Sequence, residues 1–297
     1  MSPRPSPATR LLGPLVCALL VAGCAPTTPT VPPVSPTSTT TREIGNFVWY
    51  DLLTTDVPAA QRFYGELFGW SFDGGGQESP GYITIVHDGR PIGAIVASDR
   101  LQQEVNASQW VSSLSVQDVD ETAEAVERLG GSVVTPPRDL PERGRVAVVR
   151  DNQGALLALL RSSSGDPPVD RSRVGGWLWT ELWTRDVESS LAFYRELMGY
   201  EVGDGDLGGN VEYRVLESGG TPRAGILPFE VDGVQPNWLP YVLVDDPQAL
   251  AARVETLGGR VLIAPRSEIR NGSVALIADP SGAALTIQKW PPEGEDR

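Results

Sequence analysis

The sequence predicts an α+β fold of two tandem domains, each made of two β-α-β-β-β halves. The chain matches itself, which is the first observation behind that expectation. At an offset of 130, Trp49, Thr54, Asp56, Phe63, Tyr64, Glu66, Leu67 and Gly69 fall on Trp179, Thr184, Asp186, Phe193, Tyr194, Glu196, Leu197 and Gly199. At an offset of 128, Trp110, Val116, Asp118, Gly130, Gly131, Asp151 and Gly154 fall on Trp238, Val244, Asp246, Gly258, Gly259, Asp279 and Gly282. Second, each copy repeats one order of strand, Asp-opened helix, glycine stop and further strands. Third, the chain has 297 residues of which 40% are hydrophobic, enough for two cores at roughly 100 to 200 residues per domain.

The first half opens with a strand over 47–53, where apolar and polar residues alternate. Asp56-Val57-Pro58 then starts a helix: Asp caps the free amides, Pro suits the first turn, and Ala60, Phe63, Tyr64 and Leu67 share one face. Gly69 ends it. Strands are expected over 70–72, 82–87 and 92–97, the last two joined by an Asp88-Gly89 hairpin turn. The second half repeats the order with strands over 110–116, 132–134, 145–150 and 155–161 and a helix over 120–129.

Composition excludes several function classes. Lys+Arg 24 against Asp+Glu 38 gives 24 − 38 = −14, the wrong sign for a nucleic-acid binder. His87 is the single histidine, so no multi-histidine metal site can exist. It precedes the Asp88-Gly89 turn and is expected on an exposed hairpin. The two cysteines, Cys17 and Cys24, lie ahead of the expected folded part, which therefore has no disulfide.

The N-terminus reads as an address. Arg4 and Arg10 precede the apolar run 11–22, too short to span a bilayer comfortably, as in a secretory signal. Val21-Ala22-Gly23-Cys24 resembles the bacterial lipobox, which implies cleavage before Cys24 and lipidation of its thiol. The expected location is thus the extracytoplasmic face of a cell membrane, held by acyl chains. Residues 24–42 (APTTPTVPPVSPTSTTT at 25–41) carry too little apolar surface to fold and are expected to be an extended tether. The domain boundaries follow: signal 1–23, tether 24–42, first domain 43–163, linker 164–174, second domain 175–291, tail 292–297.

The helix carrying Phe63-Tyr64-Gly65-Glu66-Leu67-Phe68-Gly69-Trp70, echoed by Phe193-Tyr194-Arg195-Glu196-Leu197-Met198-Gly199-Tyr200, resembles the vicinal oxygen chelate superfamily. That superfamily includes glyoxalase I, bleomycin resistance proteins and extradiol dioxygenases. Asp279-Pro280-Ser281-Gly282 resembles its DPxG turn, and Asp151-Asn152-Gln153-Gly154 is a one-residue variant. The resemblance implies that each pair of modules forms a cup-shaped sheet around a ligand or a metal.

Metal-dependent members place ligands seven residues before the helix-opening Asp and four after the DPxG glycine. Those positions hold Trp49, Val111, Trp179 and Leu239, then Ala158 and Thr286, and neither 92–97 nor 224–227 offers a donor side chain. No metal and no cofactor is therefore expected. By strand alternation and the family mapping, Trp49, Asp51 and Leu53 face one cup and Trp179, Glu181 and Trp183 the other. An aromatic wall beside a carboxylate suits a cationic or aromatic small molecule. The same residues in a plain core, the acids paired with arginines, are the competing expectation. Trp110 and Trp238 either rim the cups or mark the domain contact.

Asp51 or Glu181, raised in pKa by an apolar cup, could instead serve as a general base. The leading expectation is a membrane-anchored, metal-free small-molecule binder; the alternatives are an enzyme with an unconventional metal site and an interaction module with collapsed cups.

Overall fold

A computed structural model describes residues 31–75, 81–98, 108–205, 212–229 and 235–290. The expected signal at 1–23, Cys24, the start of the tether and the tail at 292–297 lie outside the described residues.

The first domain runs β1 (Phe47–Thr54), α1 (Val57–Phe68), β2 (Ser71–Gly74), β3 (Tyr82–His87), β4 (Arg90–Ala97), β5 (Gln109–Ser115), α2 (Val119–Arg128), β6 (Ser132–Leu140), β7 (Gly144–Arg150) and β8 (Leu156–Ser162). The second repeats it with β9 (Trp177–Thr184), α3 (Val187–Met198), β10 (Glu201–Asp204), β11 (Arg214–Ser218), β12 (Thr221–Pro228), β13 (Asn237–Leu243), α4 (Pro247–Val254), β14 (Arg260–Ile263), β15 (Val274–Ala278) and β16 (Ala284–Gln288). Each domain is one eight-stranded sheet, β2-β3-β4-β1-β5-β8-β7-β6 and β10-β11-β12-β9-β13-β16-β15-β14. The halves meet along antiparallel β1 and β5, and along β13 and β9.

The helix boundaries follow from the sequence chemistry. Asp56, Asp118, Asp186 and Asp246 each accept a hydrogen bond from the backbone amide three residues on, at 2.9–3.0 Å. Gly69 and Gly199 close α1 and α3 in the left-handed region, at φ 73° and 69°, where a side chain would be strained. One strand exceeds expectation. β6 continues past Val134 through Pro136 and Pro137, which lack the amide for regular pairing, and its register with β7 shifts between Thr135 and Arg138. It tolerates them as an edge strand.

The helix-side faces of both sheets merge into one core. Trp110 packs edge-on against Tyr64, Trp70 and Trp177, with ring centroids 5.2–6.2 Å apart, and Trp238 packs on Phe47 and Tyr194. The domains are thus joined by buried aromatic rings.

Two segments expected to be loose are fixed. Val34 is fully buried against Val48, Trp49, Ala94 and Leu160, so packing begins well before Glu43. The amide of Thr39 donates to the Ser164 carbonyl at 2.7 Å, and that of Asp166 to the Thr41 carbonyl at 3.0 Å. This stretch bends over 34–37, and its backbone finds partners on the supposed linker. In that linker the buried Asp166 carboxylate accepts from the Ser115 hydroxyl (2.6 Å) and the Glu43 amide (2.7 Å).

Candidate ligand cups

β9 places Glu181 at the floor of the second cup, fully buried. A bare buried carboxylate would be costly, and here its oxygens are occupied. Tyr213 donates its hydroxyl at 2.8 Å, Arg270 donates Nη2 at 2.6 Å, and the Tyr241 hydroxyl also donates. Arg270 Nη1 continues to Gln288 Oε1 at 2.8 Å, and the guanidinium lies 5.3 Å and 5.6 Å from the Tyr241 and Tyr213 ring centroids. Burial, followed by the Glu181 charge, pushes both tyrosine hydroxyls far above their ordinary range. Burial works against the Arg270 charge, but Glu181 outweighs it and holds the guanidinium above its usual value. Gly225, opposite Glu181 across the β12–β9 pairing, makes room for Tyr213: a Cβ there would meet the phenol oxygen at 2.2 Å.

Beside this network lies a cavity of about 230 Å³, lined by Trp183, Phe229, Ile263, Ile269, Leu276 and Thr286 among others. Trp183 and Phe229 pack at 4.7 Å between centroids with their rings tilted by 50°. Two buried polar atoms at the cavity, Trp183 Nε1 and Thr286 Oγ1, lack a hydrogen-bond partner of ordinary geometry in the chain. The Trp183 indole sits close enough to the Tyr241 hydroxyl to favour its ionised form, so Thr286 Oγ1 is the more exceptional of the two, since buried polar groups are nearly always satisfied.

The first cup holds a matching tetrad, Trp49, Asp51, Tyr82 and Arg143 for Trp179, Glu181, Tyr213 and Arg270, in a different state, with Ser113 where the second cup has Tyr241. Trp49 Nε1 donates to Asp51 Oδ1 at 3.0 Å and the Tyr82 hydroxyl to the same oxygen at 3.3 Å. Arg143, 4% exposed, donates to the Tyr82 hydroxyl and lies 4.4 Å above the Trp49 ring. Asp51 is one methylene shorter than Glu181, and Arg143 reaches the phenol where Arg270 reaches the carboxylate. Burial raises the Asp51 pKa, with Arg143 opposing. Trp49, Arg143 and Val34 fill this cup, and Trp49 is 1% exposed.

Trp49, Asp51, Glu181 and Trp183 sit on the cup faces, the two acids engaged by phenol or indole donors and Glu181 also by an arginine. Trp179 also does so, half-buried beneath the Arg171 guanidinium at 4.5 Å from its centroid, with Nε1 donating to Tyr213 at 2.9 Å. Trp110 and Trp238 are at the domain contact and not on a rim. They donate to Tyr64 (3.1 Å) and Tyr194 (2.7 Å) from full burial. His87 corrects its expectation: its Nε2 lies 2.9 Å from the Val174 carbonyl, leaving the side chain only 10% exposed against the second domain. The four tetrad members that residue patterning missed are Tyr82 with Tyr213, and Arg143 with Arg270. Their offsets, 131 and 127, drift by one residue from the main matches because they sit next to loops, and only that near-match signalled them.

A divalent metal does not suit either donor set. Trp49, Val111 and Ala158 in one cup, and Trp179, Leu239 and Thr286 in the other, stand where the family's ligands would, and among them only the Thr286 hydroxyl carries an oxygen donor. Glu181 is committed to two phenols and a guanidinium. Among the described residues no three His, Cys, Asp or Glu side chains converge. Glu181, so paired, is also not free to receive a cationic ligand.

Comparison with known proteins settles the ancestry. Residues 46–159 match the model of the Glyoxalase/Bleomycin resistance protein/Dioxygenase superfamily, and residues 179–287 that of the Glyoxalase-like domain. The chain belongs to this superfamily. It is 31% identical over 250 residues to the protein named Putative glyoxylase CFP32 of Mycobacterium tuberculosis, covering 82% of this chain and 95% of that one. It is 32% identical over 257 residues to Anthracycline biosynthesis protein DnrV of Streptomyces peucetius, covering 80% and 91%. Among solved structures, the fold resembles the Mn(II)-bound glyoxalase of Novosphingobium aromaticivorans (TM-score 0.53, 15% identity, 84% of this chain and 82% of that one). It likewise resembles homoprotocatechuate 2,3-dioxygenase of B. fuscum (TM-score 0.56, 14% identity, 87% and 73%).

Proposed function

We propose that this superfamily member binds a compact aromatic or apolar small molecule carrying an oxygen function in its second cup, without a metal. The first cup serves as structural support. The observation that carries the reading is the cavity of about 230 Å³ flanked by Trp183 and Phe229, with the unpartnered Thr286 Oγ1 in its wall. A hydroxyl or carbonyl on the ligand would satisfy Thr286 and the Trp183 indole while its ring stacks on the aromatic wall. The space lies below the roughly 300 to 1,000 Å³ usual for ligand sites, which favours a molecule of about one ring. The naming of the Streptomyces relative for anthracycline biosynthesis points to the same chemistry of oxygenated aromatics.

The lipobox-like Val21-Ala22-Gly23-Cys24 supports a second part of the proposal, that the cup works on the outer side of a membrane, tethered through Cys24. Membrane fractionation of Cys24→Ser against the parent chain tests this. Release of the variant, and not the parent, is the expected result.

For the cup, a panel of simple phenols, quinones and aryl ketones is screened by thermal shift and tryptophan fluorescence. A binder raises Tm by mass action. Thr286→Val and Trp183→Ala should weaken it about tenfold or more, with Thr286→Val as stable as the parent because it removes an unsatisfied hydroxyl without changing shape. Absence of any binder, or binding untouched by both variants, would sink the proposal. The name of the Mycobacterium relative raises a catalytic reading. Stoichiometric retention of nickel, zinc, manganese or iron after dialysis would put that reading ahead.

A further inference from the structure

A second and larger cavity, of about 400 Å³, lies between the domains, outside either cup floor. Its walls come from the segment at 34–39, the connection at 167–173, and the facing strands β1, β4 and β9. Four arginines line it, Arg90, Arg171, Arg173 and Arg223, against one carboxylate, Asp170. That excess is local and runs against a chain of net charge −14.

The pairing of these charges is incomplete. Asp170 is taken by Arg173 at 2.6 Å and lies 3.9 Å from Arg90, and Arg173 also lies 3.7 Å from Asp88, just outside the cavity lining. Among the described residues Arg223 pairs with Glu43, at 3.6 Å, and its buried Nε has no acceptor. Arg171 makes one weak hydrogen bond, to the Pro222 carbonyl at 3.3 Å, and no carboxylate among the described residues lies within ion-pair distance of it. Instead its guanidinium rests on the Trp179 ring. Burial chiefly holds Arg171 below its ordinary pKa; the neighbouring Arg223 charge adds to this, while Tyr50 and the more distant Glu43 carboxylate oppose it without reversing it. An uncompensated guanidinium kept in a half-enclosed space is expensive unless something negative joins it. The adjoining wall is apolar, with Trp177, Pro91 and Ile92 beside it.

We propose that this interdomain cavity binds a small organic anion, a carboxylate or phosphate monoester with a flat apolar body. The anionic head meets Arg171 and Arg223, and the body lies along Trp177 and Trp179. Guanidinium forks match the two oxygens of such a head, whereas a neutral ligand would leave Arg171 without an ion-pair partner and the Arg223 Nε without an acceptor. The site shares no cavity with the second cup, so it stands independently of the function proposed above.

The test uses the full chain, with 1-naphthoate and 1-naphthyl phosphate as probes, followed by calorimetry and tryptophan fluorescence. Both should bind, and neutral 1-naphthol should bind at least tenfold more weakly. Arg171→Gln and Arg223→Gln should each weaken the anions by about tenfold or more, the loss expected of a charge-assisted hydrogen bond. Arg171→Lys should recover part of that loss, and the exposed Arg90→Gln should change little. Thr286→Val, in the second cup, should leave the anion affinity unchanged. Thermal melts of each variant separate lost binding from lost folding. Failure of both anions to bind, equal affinity for 1-naphthol, or a loss on Thr286→Val matching that on Arg171→Gln would overturn the proposal.

Discussion

Tyr194 of the second domain donates its hydroxyl at 2.9 Å to Asp151, the aspartate that opens the closing turn of the first domain. The reciprocal bond runs from Tyr64 to Asp279 at 3.2 Å. Each aspartate also organises its own turn by accepting backbone amides through Oδ1, Gln153 and Ala155 at 2.9 Å for Asp151, Ser281 and Ala283 at 2.9 Å for Asp279. The residues that define each repeat in the sequence are thereby the ones that lock the repeats together.

Removing either phenol hydroxyl should loosen that lock. Tyr194→Phe deletes a donor to a buried carboxylate and strands the Trp238 indole, whose acceptor it is, at a cost of about 2 to 3 kcal/mol. Tyr64→Phe should cost a similar amount through Asp279 and Trp110. Urea unfolding of both variants checks this, and losses below about 0.5 kcal/mol, the scale of ordinary surface changes, would refute it.

The Glu181–Arg270 pair predicts strong non-additivity. Arg270→Leu leaves a fully buried carboxylate with only its phenols and should cost about 3 to 5 kcal/mol; Glu181→Leu strands the guanidinium at a similar cost. The double variant removes both charges and should fall well short of the sum. A double-mutant cycle measured by chemical denaturation decides the point.

Much of this was legible in the sequence, for identifiable reasons. Helix ends are set by short-range chemistry, so Asp56 and Gly69 announced α1 and their copies announced α3. The cup-facing Trp and acid positions follow from strand alternation alone. Tyr82, Tyr213, Arg143 and Arg270 escaped because they reach the cups from turns or strand ends, where no periodicity fixes direction and the repeat spacing drifts. The placement of Trp110 and Trp238 was ambiguous because a strand's two faces look alike until the partner domain is docked. Val34 was missed because a Pro- and Thr-rich composition describes how a segment behaves alone, and says nothing of a groove waiting for one valine.

Asp51 predicts a pH dependence. Burial, the larger influence, raises its folded pKa above the ordinary carboxylate value despite Arg143. The native state therefore holds the proton more tightly than the unfolded chain. Its contribution to stability is complete below about pH 4, the unfolded range, and is lost as pH rises through the folded pKa. Asp151 and Asp279, also raised mainly by burial, add slopes of the same sign. Asp51→Asn keeps an oxygen to accept from Trp49 and Tyr82 but cannot ionise. It should flatten the fall in Tm between pH 4 and neutrality and leave the variant at least as stable as the parent at pH 7. Melts across that range test it; an unchanged slope would show that the Asp51 charge is compensated.

Val34 offers the sharpest test of where the folded unit begins. Its side chain is fully buried on Trp49, Val48, Ala94 and Leu160, in the groove that closes the first cup, and its neighbour Ser35 donates its amide to the Ser164 hydroxyl at 3.3 Å. Burying a valine contributes about 1.5 to 2 kcal/mol, and placing a charge there costs more. Val34→Asp should therefore lower stability by about 2 kcal/mol or more by undocking the strap, whereas Ser38→Asp, at an exposed position of the same segment, should change it little. If the segment were only a tether, both substitutions would be silent. Because undocking uncovers Trp49, the Val34→Asp variant should also show a shift in tryptophan emission that Ser38→Asp lacks, which separates strap release from a general loss of fold.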